Sequence, residues 1–243
     1  MSQISSDLLK KLKDVENNLK LPITSGEVVL KTLTLKQQKN LLSTAVTGIK
    51  GAIEFKKVLN NIILENADTD NIFTVDRSKI VLHLRRQSLG SEVNIDGDVY
   101  NIDRYINKID EVKKVFNMQG NAKEGKVELK FKIPTLKAEN SIISKCLAEL
   151  DKGKDVPEPD KAFGLIYIYE LIKYIESVTV GDETAIFDDL KITERVDIIE
   201  NLPLTVYRQL STFFKAFTSY ETEILTFDEK TIAIDPAFFD TSN

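Results

Sequence analysis

The hydrophobic positions first fall into step at Ile4, Leu8, Leu12, Val15 and Leu19. Spacings of four and three set them on one helical face, with Lys10, Lys11, Lys13, Asp14 and Glu16 on the other. Two heptads are too few for a coiled coil, so this stripe can bury against its own chain or against a partner. Leu21-Pro22-Ile23-Thr24-Ser25-Gly26 reads as a turn, and Glu27 to Leu33 as a strand. Thr34 precedes a helical run from Leu35 to Leu42, and Gln37 stands where it completes a capping box. A second helix is predicted from Ile53 to Glu65, with Phe55, Leu59 and Ile62 or Ile63 inward. A third starts near Asp76, placed as its cap, and runs through Ile80, Val81 and Leu84 to Ser88. Gly90 then sits where a left-handed residue commonly closes a helix.

The period changes in the middle. Val93-Asn94-Ile95 and Val99-Tyr100 flank Asp96-Gly97, a pair that favours the positive φ angles of a tight hairpin. Ile102, Tyr105 or Ile106, Ile109, Val112 and Phe116 return to helical spacing. From Lys126 to Ile133, Val127, Leu129, Phe131 and Ile133 alternate with charged residues, which predicts a strand wet on one face; Pro134 ends it. A helix from Leu136 to Leu150 follows, and then the polar, breaker-rich segment 151–160. The expected organisation is an N-terminal α+β domain over 1–150 with an amphipathic first helix, a linker at 151–160, and a helical C-terminal domain over 161–243. Within the last lie an apolar helix at 163–175, a short segment from Thr184 to Phe187, and helices from Thr193 to Asn201 and Leu204 to Phe217. Glu223 to Phe227 and Thr231 to Asp235 read as a closing hairpin around Asp228-Glu229-Lys230. The fold class is α+β: helices with small antiparallel hairpins or sheet, the C-terminal part mostly helical and ending in a β-hairpin.

Composition narrows the function. Of 243 residues, 42% are hydrophobic and 29% charged, the usage of an ordinary folded chain, which excludes wholesale disorder. The N-terminus lacks the basic and apolar regions of a signal peptide. The most apolar stretch, 163–175, carries Glu170 and Lys173 and is shorter than the roughly 20 residues that span a bilayer. A soluble chain without a membrane partner is expected. The net charge of -5 is unlike that of a general nucleic-acid binder. It is also uneven, because residues 176–243 hold 14 acids and 5 bases whereas residues 1–175 hold 24 acids and 28 bases. A solvated acidic surface is the favoured account, with docking by charge the sharper one.

One cysteine excludes an internal disulfide framework and a cysteine zinc site, and one histidine removes most acid–base chemistry. His83 reads as a surface or interface residue and Cys146 as an inert buried thiol. Asp68-Thr69-Asp70, Asp96-Gly97-Asp98 and Asp188-Asp189 lack the spacing of a calcium loop, and no glycine-rich phosphate cradle is present. No catalytic residue, cofactor or metal is therefore expected, and the chain does not read as an enzyme. Arg85 and Arg86 close a helix, where cations favour the dipole and bond its free carbonyls. Phe213, Phe214, Phe217, Phe227, Phe238 and Phe239 read chiefly as core, although Phe238–Phe239, just inside a polar tail, also suits a docking anchor.

Four stretches, in order, resemble the baseplate hub assembly family of T-even-type contractile-tailed bacteriophages. The first runs from Leu21 to Leu42 and is similar to that family's opening strand and first helix. The second, Leu84-Arg85-Arg86-Gln87-Ser88-Leu89-Gly90-Ser91-Glu92, is similar to its helix end before a hairpin. The third is Leu129 to Leu136, and the last Ile232-Ala233-Ile234-Asp235-Pro236-Ala237-Phe238-Phe239. The resemblance implies a tail baseplate protein, built into the virion or assisting hub assembly in the host cytoplasm. It implies other tail and baseplate proteins as partners, with a homo-oligomer in a symmetric assembly left open, and it brings no catalytic residues. The contact residues expected are Leu8, Leu12 and Val15, the Arg85–Arg86 corner, and Phe238–Phe239. The alternative is a regulatory module binding nucleic acid through Lys10, Lys11, Lys13, Arg85 and Arg86. A hydrolase with distant carboxylates ranks third.

Overall fold

A two-stranded hairpin opens the computed structural model, which describes residues 18–44, 48–95, 97–112, 116–152 and 159–241. Strands β1 (Asn18–Ile23) and β2 (Gly26–Lys31) pair antiparallel around Thr24-Ser25. Leu21 to Ile23 is thus strand rather than turn. Leu21 faces Val28 across the pair and both are buried, and a two-stranded ribbon leaves room for Pro22 because each strand has one unpaired side. Thr34 caps α1 (Leu35–Ser43) as expected: its Oγ1 accepts from the Gln37 amide at 3.2 Å while Gln37 Oε1 accepts from the Thr34 amide at 3.0 Å. Helix α2 (Gly48–Asn66) buries both Ile62 and Ile63.

A 3-10 turn (Thr74–Asp76) leads into α3 (Arg77–Leu89). Asp76 does not cap that helix. Its carboxylate accepts instead from the Thr24 amide at 3.1 Å and from Thr24 Oγ1 at 2.9 Å, tying the β1–β2 turn to the start of α3. Gly90 has φ +90 and ψ 176, a positive-φ exit that differs from the left-handed helical one. The hairpin β3 (Glu92–Ile95) and β4 (Asp98–Asn101) precedes α4 (Ile102–Val112).

The second half is built on a four-stranded antiparallel sheet in the order β5 (Gln119–Glu124), β6 (Val127–Lys132), β7 (Ile175–Val180), β8 (Glu183–Ile186). β6 is the strand its alternation predicts. β5 was illegible, since Ala122 is its one apolar side chain apart from Gly120. The strand stands because Gly120 opposes Phe131: a Cβ at position 120 would lie 2.1 Å from Phe131 Cε2, so the ring lies over bare backbone. Phe131 then packs on Phe213 at 4.9 Å between ring centroids.

Helices α5 (Leu136–Lys152), α6 (Pro159–Ile172), α7 (Ile192–Glu200) and α8 (Leu204–Ile224) complete this half, with a 3-10 turn at Phe187–Asp189. The apolar run at 163–175 is not one helix, because Ile175 already begins β7. Helix α8 extends to Ile224, so the closing hairpin contracts to β9 (Thr226–Phe227) and β10 (Lys230–Thr231). Asp228 and Glu229 take φ +47 and +63 in its turn, and a 3-10 segment, Pro236–Phe239, follows.

The chain is α+β, helices with small antiparallel sheets. Its interior forms two cores. One joins Leu21, Val28, Phe55, Ile63, Leu84 and Ile102 with the C-terminal Ile232, Phe238 and Phe239. The other joins the sheet with α5 to α8 and reaches back to Ile53 and Val75. The segment 151–160, of which 153–158 lies outside the described residues, does not separate them. β6 precedes it and β7 follows it, yet the two are paired neighbours. The C-terminal residues cross back to close the first core.

Candidate functional site

Where the two cores meet, charge is buried. Arg77 at the start of α3, Glu139 on α5 and Lys173 just after α6 are all in the interior. One Arg77 Nη donates to Glu139 Oε2, and the other donates to Glu221 Oε1 on α8 at 3.1 Å. Lys173 Nζ donates to Glu139 Oε1 at 2.6 Å and lies 2.6 Å from Glu170 Oε2. Lys56 on α2 approaches Glu139 and Glu170 at 3.9 and 3.7 Å, and Asn60 Nδ2 donates to Glu139 at 2.8 Å. Three cations meet three carboxylates, so the cluster is neutral as a whole.

The protonation states follow. Burial alone would raise Glu139, but Arg77, Lys173 and Lys56 hold it well below the usual carboxylate range. Burial opposes the charge on Lys173, yet Glu139 and Glu170 raise it. Lys56 is lowered by burial and by the neighbouring Lys173. Carboxylates held ionised by buried cations are poor proton carriers near neutral pH. The arrangement can clamp α2, α3, α5, α6 and α8 together; as an acid–base site it has nothing to relay.

A cleft of about 420 Å³ opens beside this junction, between the β1–β2 turn, α4 and the end of α8. Ile23, Val75, Ile109, Phe116, Met118 and Ile224 give it an apolar floor. Its polar groups are already engaged: Asp76 by Thr24, Lys79 by Asp110 at 3.4 Å, and Lys108 by the Thr226 carbonyl at 2.6 Å. Burial raises Asp76, against the bonds from Thr24.

The residues expected to make contacts divide. Leu8, Leu12 and Val15 lie outside the described residues. Arg85 is interior, and its guanidinium donates to the carbonyls of Phe238 at 3.0 Å, Gly90 at 2.6 Å and Glu92 at 2.8 Å. Phe238 and Phe239 are wholly buried and meet edge to face at 5.1 Å. Two of the expected features, the arginine corner and the Phe-Phe segment, are thus one internal device that locks the C-terminus onto α3 and β3. Such side chains cannot present a surface in this conformation. Arg86 does reach solvent, where it pairs with Asp103.

His83 is buried, a correction to the surface or interface position expected for it. Desolvation pushes it down to about 4, so it is neutral, and its Nε2 has no hydrogen-bond partner among the described residues. Cys146 is buried and its thiol is pushed up to about 11 by burial, which leaves it protonated. Asp68 accepts from the Val29 amide at 2.8 Å and Asp70 pairs with Lys137 at 2.6 Å, roles in a turn and on the surface. Among the described residues, no three His, Cys, Asp or Glu side chains converge as metal ligands, and no helix is long and apolar enough to cross a membrane.

The family model of the T4 bacteriophage base plate protein matches residues 14–230. The chain belongs to that family. No curated protein and no solved structure matches it. The base plate family's match takes in the whole charge cluster, both sides of segment 151–160 and the sheet. Three of the four resembling stretches fall inside it, and the Ile232–Phe239 stretch falls beyond its end.

The cluster itself was missed by sequence reading. Its signal was present in Glu170 and Lys173, two charges inside the most apolar run of the chain, which have to find partners if that run is buried. Nothing local marks Arg77 or Glu139, because their pairing joins residues 62 positions apart.

Proposed function

We propose that this chain serves the baseplate hub, as a structural or assembly component that works by binding other tail proteins and without catalysis. The observation that carries the reading is the base plate family match across residues 14–230, which takes in both cores apart from the closing Ile232, Phe238 and Phe239. The chemistry of the interior supports it: the buried ions neutralise one another, and the lone histidine and cysteine are desolvated and inert. The chain belongs on this reading in the tail of the virion or on the path to it in the host cytoplasm, and repeats of it in a ring would meet through symmetric contacts.

Affinity purification of a tagged chain from infected cells, followed by mass spectrometry of the eluate and of purified particles, tests this. Stoichiometric tail proteins in the eluate support the binding role. The chain's presence in particles marks a virion subunit, and its absence a transient assembly factor. An eluate holding the chain alone at every stage of infection contradicts the proposal.

A further inference from the structure

The sheet ends at β8, and that edge is open. The Gly181 amide donates to the Lys126 carbonyl at 2.9 Å, so the backbone of residue 181 points toward β6 and that of Val180 toward β8. Val180 faces Glu183 and Val178 faces Ala185 in the β7–β8 pair. Backbone groups alternate sides along a strand, so Glu183 and Ala185 bond to β7 while the N–H and C=O of Thr184 and Ile186 point outward. Among the described residues no strand pairs with β8 on that side. Apart from its short length and Glu183, the edge lacks the lysines, prolines and bulges that usually blunt such edges, and Ile186 on it is 46% exposed.

The charge around the edge says what fits it. Residues 176–200 hold eight acids and two bases. One of those bases, Arg195, is turned inward, donating to the carbonyls of Leu190 at 3.1 Å and Asp188 at 3.0 Å. Exposed Asp182, Glu183 and Asp189 flank the open backbone, and Asp188 beside them already lies 3.7 Å from Lys132 Nζ and 3.8 Å from Arg195 Nη1. A second copy pairing β8 to β8 would bring two acidic edges together, and a nucleic acid would bring phosphates to the same charge.

We propose that the outer edge of β8 takes up an extended, lysine- or arginine-bearing segment of a partner protein, which adds a fifth strand through Thr184 and Ile186. Main-chain bonds would hold it and its cations would meet the flanking carboxylates. This deepens the binding role proposed above and rests on it for the identity of the partner.

The test uses the full chain with two capped synthetic peptides, one alternating lysine and valine and one alternating glutamate and valine. Amide hydrogen exchange at Thr184 and Ile186 is measured by NMR. The lysine peptide should slow both amides by about tenfold or more at saturation, with binding that weakens as salt rises. Thr184→Pro removes one outward N–H and leaves the bonds to β7 in place, so it should abolish the protection while the spectrum stays folded. Glu183→Lys with Asp189→Lys should abolish preference for the lysine peptide. Unchanged exchange, equal protection by both peptides, or protection persisting in Thr184→Pro would overturn the proposal, as would self-association through β8 in the absence of peptide. None of these results bears on whether the chain serves a baseplate, which the purification decides.

Discussion

Replacing Glu139 by glutamine keeps the side chain's shape and removes one charge from the cluster between the two cores. The Glu139 side chain is 1% exposed and receives both Arg77 and Lys173, so in the variant three cations, Arg77, Lys173 and Lys56, share the two remaining carboxylates, Glu170 and Glu221. Breaking a buried ion pair in this way costs about 3–5 kcal/mol, because the cluster is left with one positive charge in excess and little solvent to screen it. For a chain of this size that corresponds to a fall in Tm of roughly 6–20 °C. Urea denaturation followed by near-ultraviolet circular dichroism would read it, with the tyrosines and phenylalanines of the second core as probes. Adding Lys173→Met to Glu139→Gln should recover part of the loss, by about 1 kcal/mol or more relative to the sum of the single variants, since the two residues touch. Moderate salt should change little, because the cluster is buried. A Glu139→Gln protein within about 1 kcal/mol of the parent, or strict additivity with Lys173→Met, would refute the view that this cluster joins the cores.

Three further outcomes follow from the geometry. Gly120→Ala drives a methyl into the Phe131 ring and should destabilise by about 1–3 kcal/mol in urea denaturation, with Phe131→Leu relieving part of the clash. His83 is held down at about 4 against an ordinary 6.5, so unfolding lets it protonate; the stability it contributes is complete above pH 6.5 and is lost as the pH falls toward 4, up to about 3 kcal/mol. His83→Phe should flatten that part of the pH–stability profile. Arg85→Ala leaves the carbonyls of Phe238, Gly90 and Glu92 without their donor and should cost about 2–4 kcal/mol, with faster amide exchange in β3 and around Phe238–Phe239.

Much of the fold could be read from local pattern. The Thr34–Gln37 capping box, the β3–β4 pair, whose turn residue Asp96 lies outside the described residues, and the alternation of Val127 to Ile133 each carry their own signal within a few residues. The misreadings share a physical cause, since the deciding partner lies far along the chain. Gln119 to Glu124 becomes a strand because Phe131 needs bare backbone at Gly120. Asp76 gives up a helix cap for Thr24, 52 positions away. Glu223 and Ile224 stay on α8, whose Glu221 pairs with Arg77, 144 positions away. The same holds for the candidate contacts. Arg85 reads chiefly as a helix-end cation and Phe238 chiefly as core, each with a docking reading beside it, and only folding shows that the two bind each other. The charge cluster was invisible for this reason too, although Glu170 and Lys173 in an apolar helix were a sign that ions had to meet inside.

Electron microscopy of tails made during infection by a phage lacking this gene bears most directly on the role of the protein. A binding component of the hub predicts missing or incomplete baseplates, restored when the intact chain is supplied from a plasmid. Normal, complete baseplates in its absence would contradict the account.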